Sequence, residues 1–225
     1  MENKSLFSVK DLTIGHEGKI LCSGITFDIR KGDCIMLCGA NGSGKTTLMK
    51  ILAGASGSKL TEHLECIMIP ARIPKVSGFT LREFIRVSCF SRSDLYGKLS
   101  PADEQAIDHA ITTLDLNHLE DRDISTLSDG EFQKAGIASA LVRKADIIML
   151  DEPTAFLDAE NRINVLSTLR TLCDNGQAII FSTHDLHDGQ RFCTKVFALG
   201  SDHHFHCSQD STPESKSDAI ARIFS

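Results

Sequence analysis

The sequence lacks a long hydrophobic run, a basic run and a C-x-x-C pair, and each lack closes off a class of function. No stretch approaches the ~20 apolar residues that a membrane-spanning helix needs. The first residues, Met1 to Lys10, lack the apolar core of a signal peptide, so the chain is expected to stay in the cytosol. Net charge is −6 with no cluster of Lys or Arg, which leaves nucleic-acid binding without an electrostatic footprint. The eight cysteines are scattered, and several sit inside apolar segments. Cys34 and Cys38 are four apart, so neither a zinc site nor a redox pair is indicated. The cysteines read as reduced core residues. What is present is ordinary for a soluble globular protein: 41% hydrophobic and 24% charged residues, in a chain of 225, ample for one domain with a buried core.

Against that background one stretch stands out. Gly39-Ala40-Asn41-Gly42-Ser43-Gly44-Lys45-Thr46-Thr47 fits G-x-x-x-x-G-K-S/T, the phosphate-binding P-loop. Its glycines let the backbone N–H groups turn inward around an anion. Lys45 adds a compact positive charge that can reach terminal phosphates, and the Thr46 hydroxyl is placed for Mg²⁺. Cys34-Ile35-Met36-Leu37-Cys38 precedes it as a buried strand should. Thr47-Leu48-Met49-Lys50-Ile51-Leu52 follows with helical character, which sets the phosphates at a helix N-terminus.

A second nucleotide motif is Ile147-Ile148-Met149-Leu150-Asp151-Glu152. Four apolar residues ending in two carboxylates read as a buried parallel strand, with its ligand-facing end at the acids. Asp151 would hold Mg²⁺, directly or through water, and Glu152 would act as general base on the attacking water. A strand that merely ends in an acidic turn looks similar. The P-loop about a hundred residues earlier argues for the nucleotide reading.

A third stretch, Leu127-Ser128-Asp129-Gly130-Glu131-Phe132-Gln133, lies shortly before the second motif. Here the sequence resembles the ATP-binding subunits of ABC transporters, whose signature is usually L-S-G-G-Q. The resemblance continues through Asp151-Glu152-Pro153-Thr154-Ala155-Phe156-Leu157-Asp158, similar to a Walker B strand running into a D-loop. It ends at Ser182-Thr183-His184-Asp185, similar to the switch histidine after the next strand. The implied fold is α/β, a P-loop NTPase of ABC ATPase type. It has a mainly parallel sheet core, a small antiparallel β-subdomain and a helical subdomain at about 79–125, within a single nucleotide-binding domain spanning 1–225.

The rest of the chain can be placed on that scheme. Leu6 to Ile14 and Ile25 to Ile29 alternate as strands do and, with a short turn at Glu17-Gly18, resemble the antiparallel β edge of the family. His16 falls where the family usually carries an aromatic residue that stacks on adenine; a solvated turn histidine is the other reading. Thr80 to Asp123 is expected to be mostly helical, from the spacing of Leu81, Phe84 and Ile85 and of Ala106, Ile107, Ala110, Ile111 and Leu114. Asp103-Glu104 open the second of these helices, where acids suit the dipole. Phe79-Thr80-Leu81-Arg82-Glu83-Phe84, Tyr96-Gly97-Lys98-Leu99-Ser100, Asp103-Glu104 and the signature itself resemble the ATPases of iron-siderophore, haem and cobalamin importers more narrowly. In that group Asp-Gly-Glu is seen in place of Gly-Gly-Gln.

Two departures from the family pattern stand out. Ala71 follows Ile67-Met68-Ile69-Pro70 where a glutamine is usual, and alanine has no group to join a Mg²⁺ shell or sense a membrane partner. The segment between Lys45 and Ala71 is also short, which trims the β-subdomain. The lysine, the two acids and the histidine remain, so hydrolysis is expected. Toward the C-terminus, Val196-Phe197-Ala198-Leu199 reads as a last strand. Asp202-His203-His204-Phe205-His206-Cys207 reads as a polar hairpin rather than a metal site, because on a strand only two of its histidines would share a face. Ser208 to Asp218 reads as loop and Ala219 to Phe224 as a short closing helix.

The resemblance implies a mechanism. ATP-Mg²⁺ lies on the P-loop, Lys45 offsets developing charge, Glu152 activates water and His184 contacts the terminal phosphate. Two subunits close head to tail, so that Ser128 and Gly130 of one cap the nucleotide of the other, with Asp158 of the D-loop at the same joint. The implied partners are permease subunits in the membrane and, indirectly, a substrate-binding protein, which puts the chain peripherally on the inner face of the cell membrane. Two alternatives stay open: a soluble ABC ATPase outside transport, and a regulatory module that binds nucleotide with little turnover. Cargo and direction are not written in this chain.

Overall fold

The computed structural model describes residues 5–16, 18–54, 60–61, 63–72, 74–90 and 98–224. Glu17 of the expected hairpin turn, and Tyr96 and Gly97 of the importer-like stretch, lie outside them. The chain divides into two compact units. One comprises Met1–Ala71, Asp146–Ala155 and Leu166–Ser225; the other comprises Arg72–Ala145 and Phe156–Val165.

Among the described residues, the first unit carries all the strands. β1 (Ser5–His16) and β2 (Lys19–Arg30) form an antiparallel pair, longer at both strands than their alternation indicated. The remaining six make one sheet in the order β4 (Cys66–Ile69), β5 (Ile147–Leu150), β6 (Ala178–Ser182), β3 (Cys34–Gly39), β7 (Lys195–Leu199), β8 (Phe205–Cys207). The first five run parallel, and only β8 is antiparallel. β3, β5 and β6 are buried at every position, which is why they read as unbroken apolar runs. Phe27, Phe197 and Phe205 pack together with ring centroids 4.7–5.8 Å apart, Phe197 and Phe205 edge to face and the other two pairs tilted, and fasten β2 to β7 and β8. Cys34, Cys38, Cys173 and Cys193 are buried in this unit, and burial pushes the Cys38 and Cys193 thiols up to about 12.

Among the described residues three helices belong wholly to this unit: α1 (Lys45–Leu52), α6 (Leu186–Phe192) and α7 (Pro213–Ala221). The last one corrects the sequence expectation. Thr212 is its N-cap, accepting from Ser215 N–H, and Pro213 fills the first helical position. The Ser/Pro/acidic composition of 208–218 suggested loop, yet it is also the composition of a helix start. Residues 222–224, placed in a closing helix from sequence, lie beyond its end. Val196–Leu199 is likewise not the last strand, since Phe205–Cys207 returns beside it as a hairpin.

The second unit is helical. Its helices are α2 (Leu81–Val87), α3 (Pro101–Thr113) and α4 (Asp129–Val142), with short 3₁₀ turns at Asn117–Leu119 and Ile124–Thr126 between α3 and α4. Thr80 and Glu83 close a capping box on α2, and Ser100 with Pro101 starts α3. Arg82 lies 2.5 Å from Glu120, 2.8 Å from Asp108 and 3.1 Å from Glu104, fixing α2 against α3. The span 79–125 expected to be helical falls inside this unit, which extends further on both sides. α5 (Ala159–Asp174) begins in the second unit and ends in the first.

Candidate nucleotide site

β3 ends at Gly39, and the chain turns through the P-loop into α1. A Cβ on Gly39 would lie 2.6 Å from Ser43 Oγ and 2.8 Å from the Leu199 carbonyl, so the turn closes only around a glycine. Gly44, with φ 104°, is the N-cap of α1, and a Cβ there would meet Ile14 Cδ1 at 2.8 Å. Ile14 of β1 and Leu21 of β2 therefore rest on the loop. His16, two residues beyond Ile14, is the exposed last residue of β1, opposite Lys19. Ala40, Asn41 and Gly42 are exposed, while Lys45 is buried and Thr46 and Thr47 are half-buried.

Lys45 Nζ donates to the Gly39 carbonyl at 2.8 Å and the Ala40 carbonyl at 3.2 Å. Burial lowers its pKa, and the charges of Glu152 and Asp151 work the other way. Ser43 Oγ is buried and has no hydrogen-bond partner among the described residues. A buried cation beside an unsatisfied hydroxyl and a glycine cradle is what an anionic phosphate would complete.

The acids stand at the end of β5. Thr46 Oγ1 donates to Asp151 Oδ2 at 2.7 Å. Ser182, at the end of β6, donates to Asp151 Oδ1 at 2.7 Å and accepts the Glu152 N–H at 2.8 Å. The parallel register Leu150↔Phe181 sets Asp151 beside Ser182. His184 Nε2 reaches Glu152 Oε1 at 2.9 Å. Glu152 has φ 50°, a left-handed conformation uncommon for a non-glycine residue and frequent at functional sites. One polar chain thus runs from Thr46 through Asp151 and Ser182 to Glu152 and His184, beside Lys45. This arrangement has a charged donor for phosphate, two oxygen ligands for a hard cation and a carboxylate oriented by a histidine. The role of Ser182 is not visible in its motif alone. The signal for it is a hydroxyl ending an apolar strand that neighbours the acidic one.

The signature and D-loop residues belong to the helical unit. Ser128 is the N-cap of α4 and forms a capping box with Glu131: Ser128 N–H donates to Glu131 Oε2 at 2.7 Å and Ser128 Oγ accepts from Glu131 N–H at 3.3 Å. Burial pushes the Glu131 carboxyl up, but the Ser128 N–H and hydroxyl outweigh it and hold the group below the usual range. Gly130 is buried, and a Cβ there would come within 3.4 Å of Asn161 Oδ1. Asp158 caps α5 by accepting Asn161 N–H at 2.8 Å. Lys75, which sequence reasoning passed over, donates to the Leu127 carbonyl at 2.7 Å and to Asp129 Oδ1 at 2.8 Å. Nearby in sequence, the Arg72 guanidinium lies 4.4 Å over the ring of Phe156.

Ala71 lies two residues beyond the end of β4. In the C-terminal hairpin, His203 Nδ1 lies 3.0 Å from the Leu21 carbonyl and His206 Nε2 lies 3.3 Å from Asp202. Among the described residues no group of three His, Cys, Asp or Glu side chains is arranged to hold a metal ion, and no helix is long and apolar enough to cross a membrane.

The chain is similar to known proteins over most of its length. The family model described as ABC transporter matches residues 22–155. The iron(3+)-hydroxamate import ATP-binding protein FhuC of Bacillus subtilis (strain 168) is 29% identical over 209 residues, covering 85% of this chain and 78% of the relative. The thiamine import ATP-binding protein ThiQ of Jannaschia sp. (strain CCS1) is 34% identical over 184 residues, covering 76% and 80%. A solved structure, described as an inward-facing transporter assigned to the metal-chelate type of ABC transporter, superimposes with a TM-score of 0.85 at 25% identity, over 98% of this chain and 89% of that one. A mainly parallel sheet with a small antiparallel pair, a P-loop at the end of β3 and acids at the end of β5 accord with these matches, and the chain belongs to the ABC transporter family.

Proposed function

We propose that this chain is the ATP-binding and ATP-hydrolysing subunit of an ABC importer, with an iron chelate, haem or cobalamin-type compound as cargo. The observation that carries the reading is the continuous hydrogen-bonded line from Thr46 through Asp151 and Ser182 to Glu152 and His184, alongside Lys45. The cargo class rests on the importer-like wording of the helical unit and on relatives named for siderophore and iron-hydroxamate import. Another relative is named for thiamine import.

ATP sits with its phosphates on Gly39 to Thr47 and its base toward His16 at the end of β1. Lys45 exchanges the Gly39 and Ala40 carbonyls for phosphate oxygens. Thr46 and Asp151 are the residues that would hold Mg²⁺, which supplies charge neutralisation when bound. Glu152, with its carboxylate held by His184, accepts a proton from the water that attacks the terminal phosphorus. The protein's part is positioning and charge stabilisation, as phosphoryl transfer requires. The two units together serve as one nucleotide-binding domain. In a head-to-tail dimer, Ser128 and Gly130 at the start of α4, and Asp158 at the start of α5, meet the nucleotide held by the other subunit.

The membrane partner docks on the helical unit. Val76, Phe79, Val87 and Phe90 are apolar and 42–72% exposed there. The test is reconstitution with the membrane subunits of a chelate importer from the same cell. ATPase activity should rise on assembly, and Val87→Glu with Phe90→Glu should abolish assembly while leaving nucleotide binding intact. Equal assembly of the doubly charged variant would remove this docking face.

A further inference from the structure

The signature turn of this chain carries two acids where the family pattern has glycine and glutamine, and the structure accounts for them differently. Glu131 completes the capping box with Ser128. Asp129 takes no part in that box; its carboxylate meets Lys75 Nζ at 2.8 Å. The same ammonium donates to the Leu127 carbonyl at 2.7 Å and lies 5.5 Å over the ring of Phe132. Phe132 in turn packs on Phe84 of α2, with centroids 5.3 Å apart. Lys75 is thus directed at the start of α4 by three contacts. A cation beside a helix N-terminus is opposed by the helix dipole. Its place there is explained by the carboxylate and the carbonyl that it serves.

We propose that Lys75 is a positioning residue for the signature: it fixes and neutralises Asp129, so that a turn containing an extra carboxylate can face a nucleotide triphosphate. The proposal rests on the head-to-tail reading above. An unpaired Asp129 would stand one residue from Ser128, next to the phosphates held by the other subunit, and like charges at such range oppose closure. With Lys75 in place Asp129 is neutralised, and the one carboxylate left uncompensated in the first turn of α4 is that of Glu131, which the capping box holds. The pair itself adds little to folding stability, because Asp129 is largely exposed. Its effect falls on closure.

The test uses the full chain carrying Glu152→Gln, with ATP and Mg²⁺, and follows dimerisation by sedimentation across a salt titration. Lys75→Met should weaken the ATP-dependent dimer by roughly three- to thirtyfold, as removal of a coupling residue does. Adding Asp129→Asn should recover most of the loss, and Lys75→Arg should behave like the parent. ATP binding to the monomer should be equal in all four proteins. A merely structural lysine would not be rescued by neutralising its partner. If Lys75→Met dimerises like the parent, or Asp129→Asn gives no recovery, the inference is wrong while the functional reading stands. If the parent forms no dimer with ATP, the head-to-tail reading fails and takes the inference with it.

Discussion

Ser182 Oγ donates its proton to Asp151 Oδ1 at 2.7 Å and itself accepts the N–H of the next acid, Glu152, at 2.8 Å. This fully buried serine fixes the direction of one carboxylate and the backbone of the other. Ser182→Ala would leave the Glu152 N–H without its partner, at about 1–3 kcal/mol. Turnover should fall by about 10–100-fold, the size typical of outer supports of a metal site, with ATP binding largely kept. Steady-state ATPase rates across a Mg²⁺ titration check this; a wild-type profile would make Ser182 a packing residue only.

Two glycines of the P-loop separate space from conformation. Gly39→Ala drives a Cβ to 2.8 Å from the Leu199 carbonyl, a backbone atom that cannot step aside. Overpacking of this kind costs about 1–3 kcal/mol and should distort the loop enough to lose ATP binding. Gly42→Ala meets nothing within 4 Å and suffers only from φ 79°, so it should cost about 1–2 kcal/mol and keep binding. Thermal midpoints and ATP titrations of the two variants give the comparison.

The capping box of α4 predicts a pH dependence. Glu131 has a native pKa below its unfolded value, so its contribution is present above the usual glutamate range and lost as pH falls through the native value. Glutamine can also close the box, so what the charge itself adds beside the start of α4 should be about 0.3–1 kcal/mol near neutral pH. Glu131→Gln should therefore be less stable than wild type at pH 7, with the gap shrinking below pH ~4 as the glutamate protonates. Denaturant unfolding of both proteins across that range measures it.

Much of this arrangement is legible in the sequence, for physical reasons. β3 and β5 are recognisable because a strand buried on both faces must be apolar throughout, and the P-loop because only glycine fits Gly39 and Gly44. α7 is not, because Thr212-Pro213 starts a helix with the same residues that make loops. Ser182 and Lys75 escape notice because their partners lie 31 and 54 positions away, and only strand register and helix packing bring them together. Asp129 and Glu131 can be seen as departures, but not that one is answered by a lysine and the other by a cap.

Ala71 gives a prediction about coupling. With no donor or acceptor after β4, the chain cannot extend a side-chain oxygen toward a metal from that position. Ala71→Gln should change how strongly the membrane subunits stimulate ATPase activity, while the isolated chain responds less. Outer changes to a metal shell are typically worth about 10–100-fold in affinity or activity. Rates for both proteins, alone and reconstituted, across a Mg²⁺ titration test it; identical stimulation would make position 71 neutral.

The central claim is that Glu152, held by His184 and Ser182, drives hydrolysis of ATP bound at Lys45. Phosphate release by the purified chain and by Glu152→Gln, with ATP binding measured on the same samples, tests it most directly. The amide keeps the shape but cannot accept a proton, so Glu152→Gln should bind ATP like wild type and lose at least the ~10²-fold contributed by a general base. Hydrolysis by Glu152→Gln at the wild-type rate would contradict it.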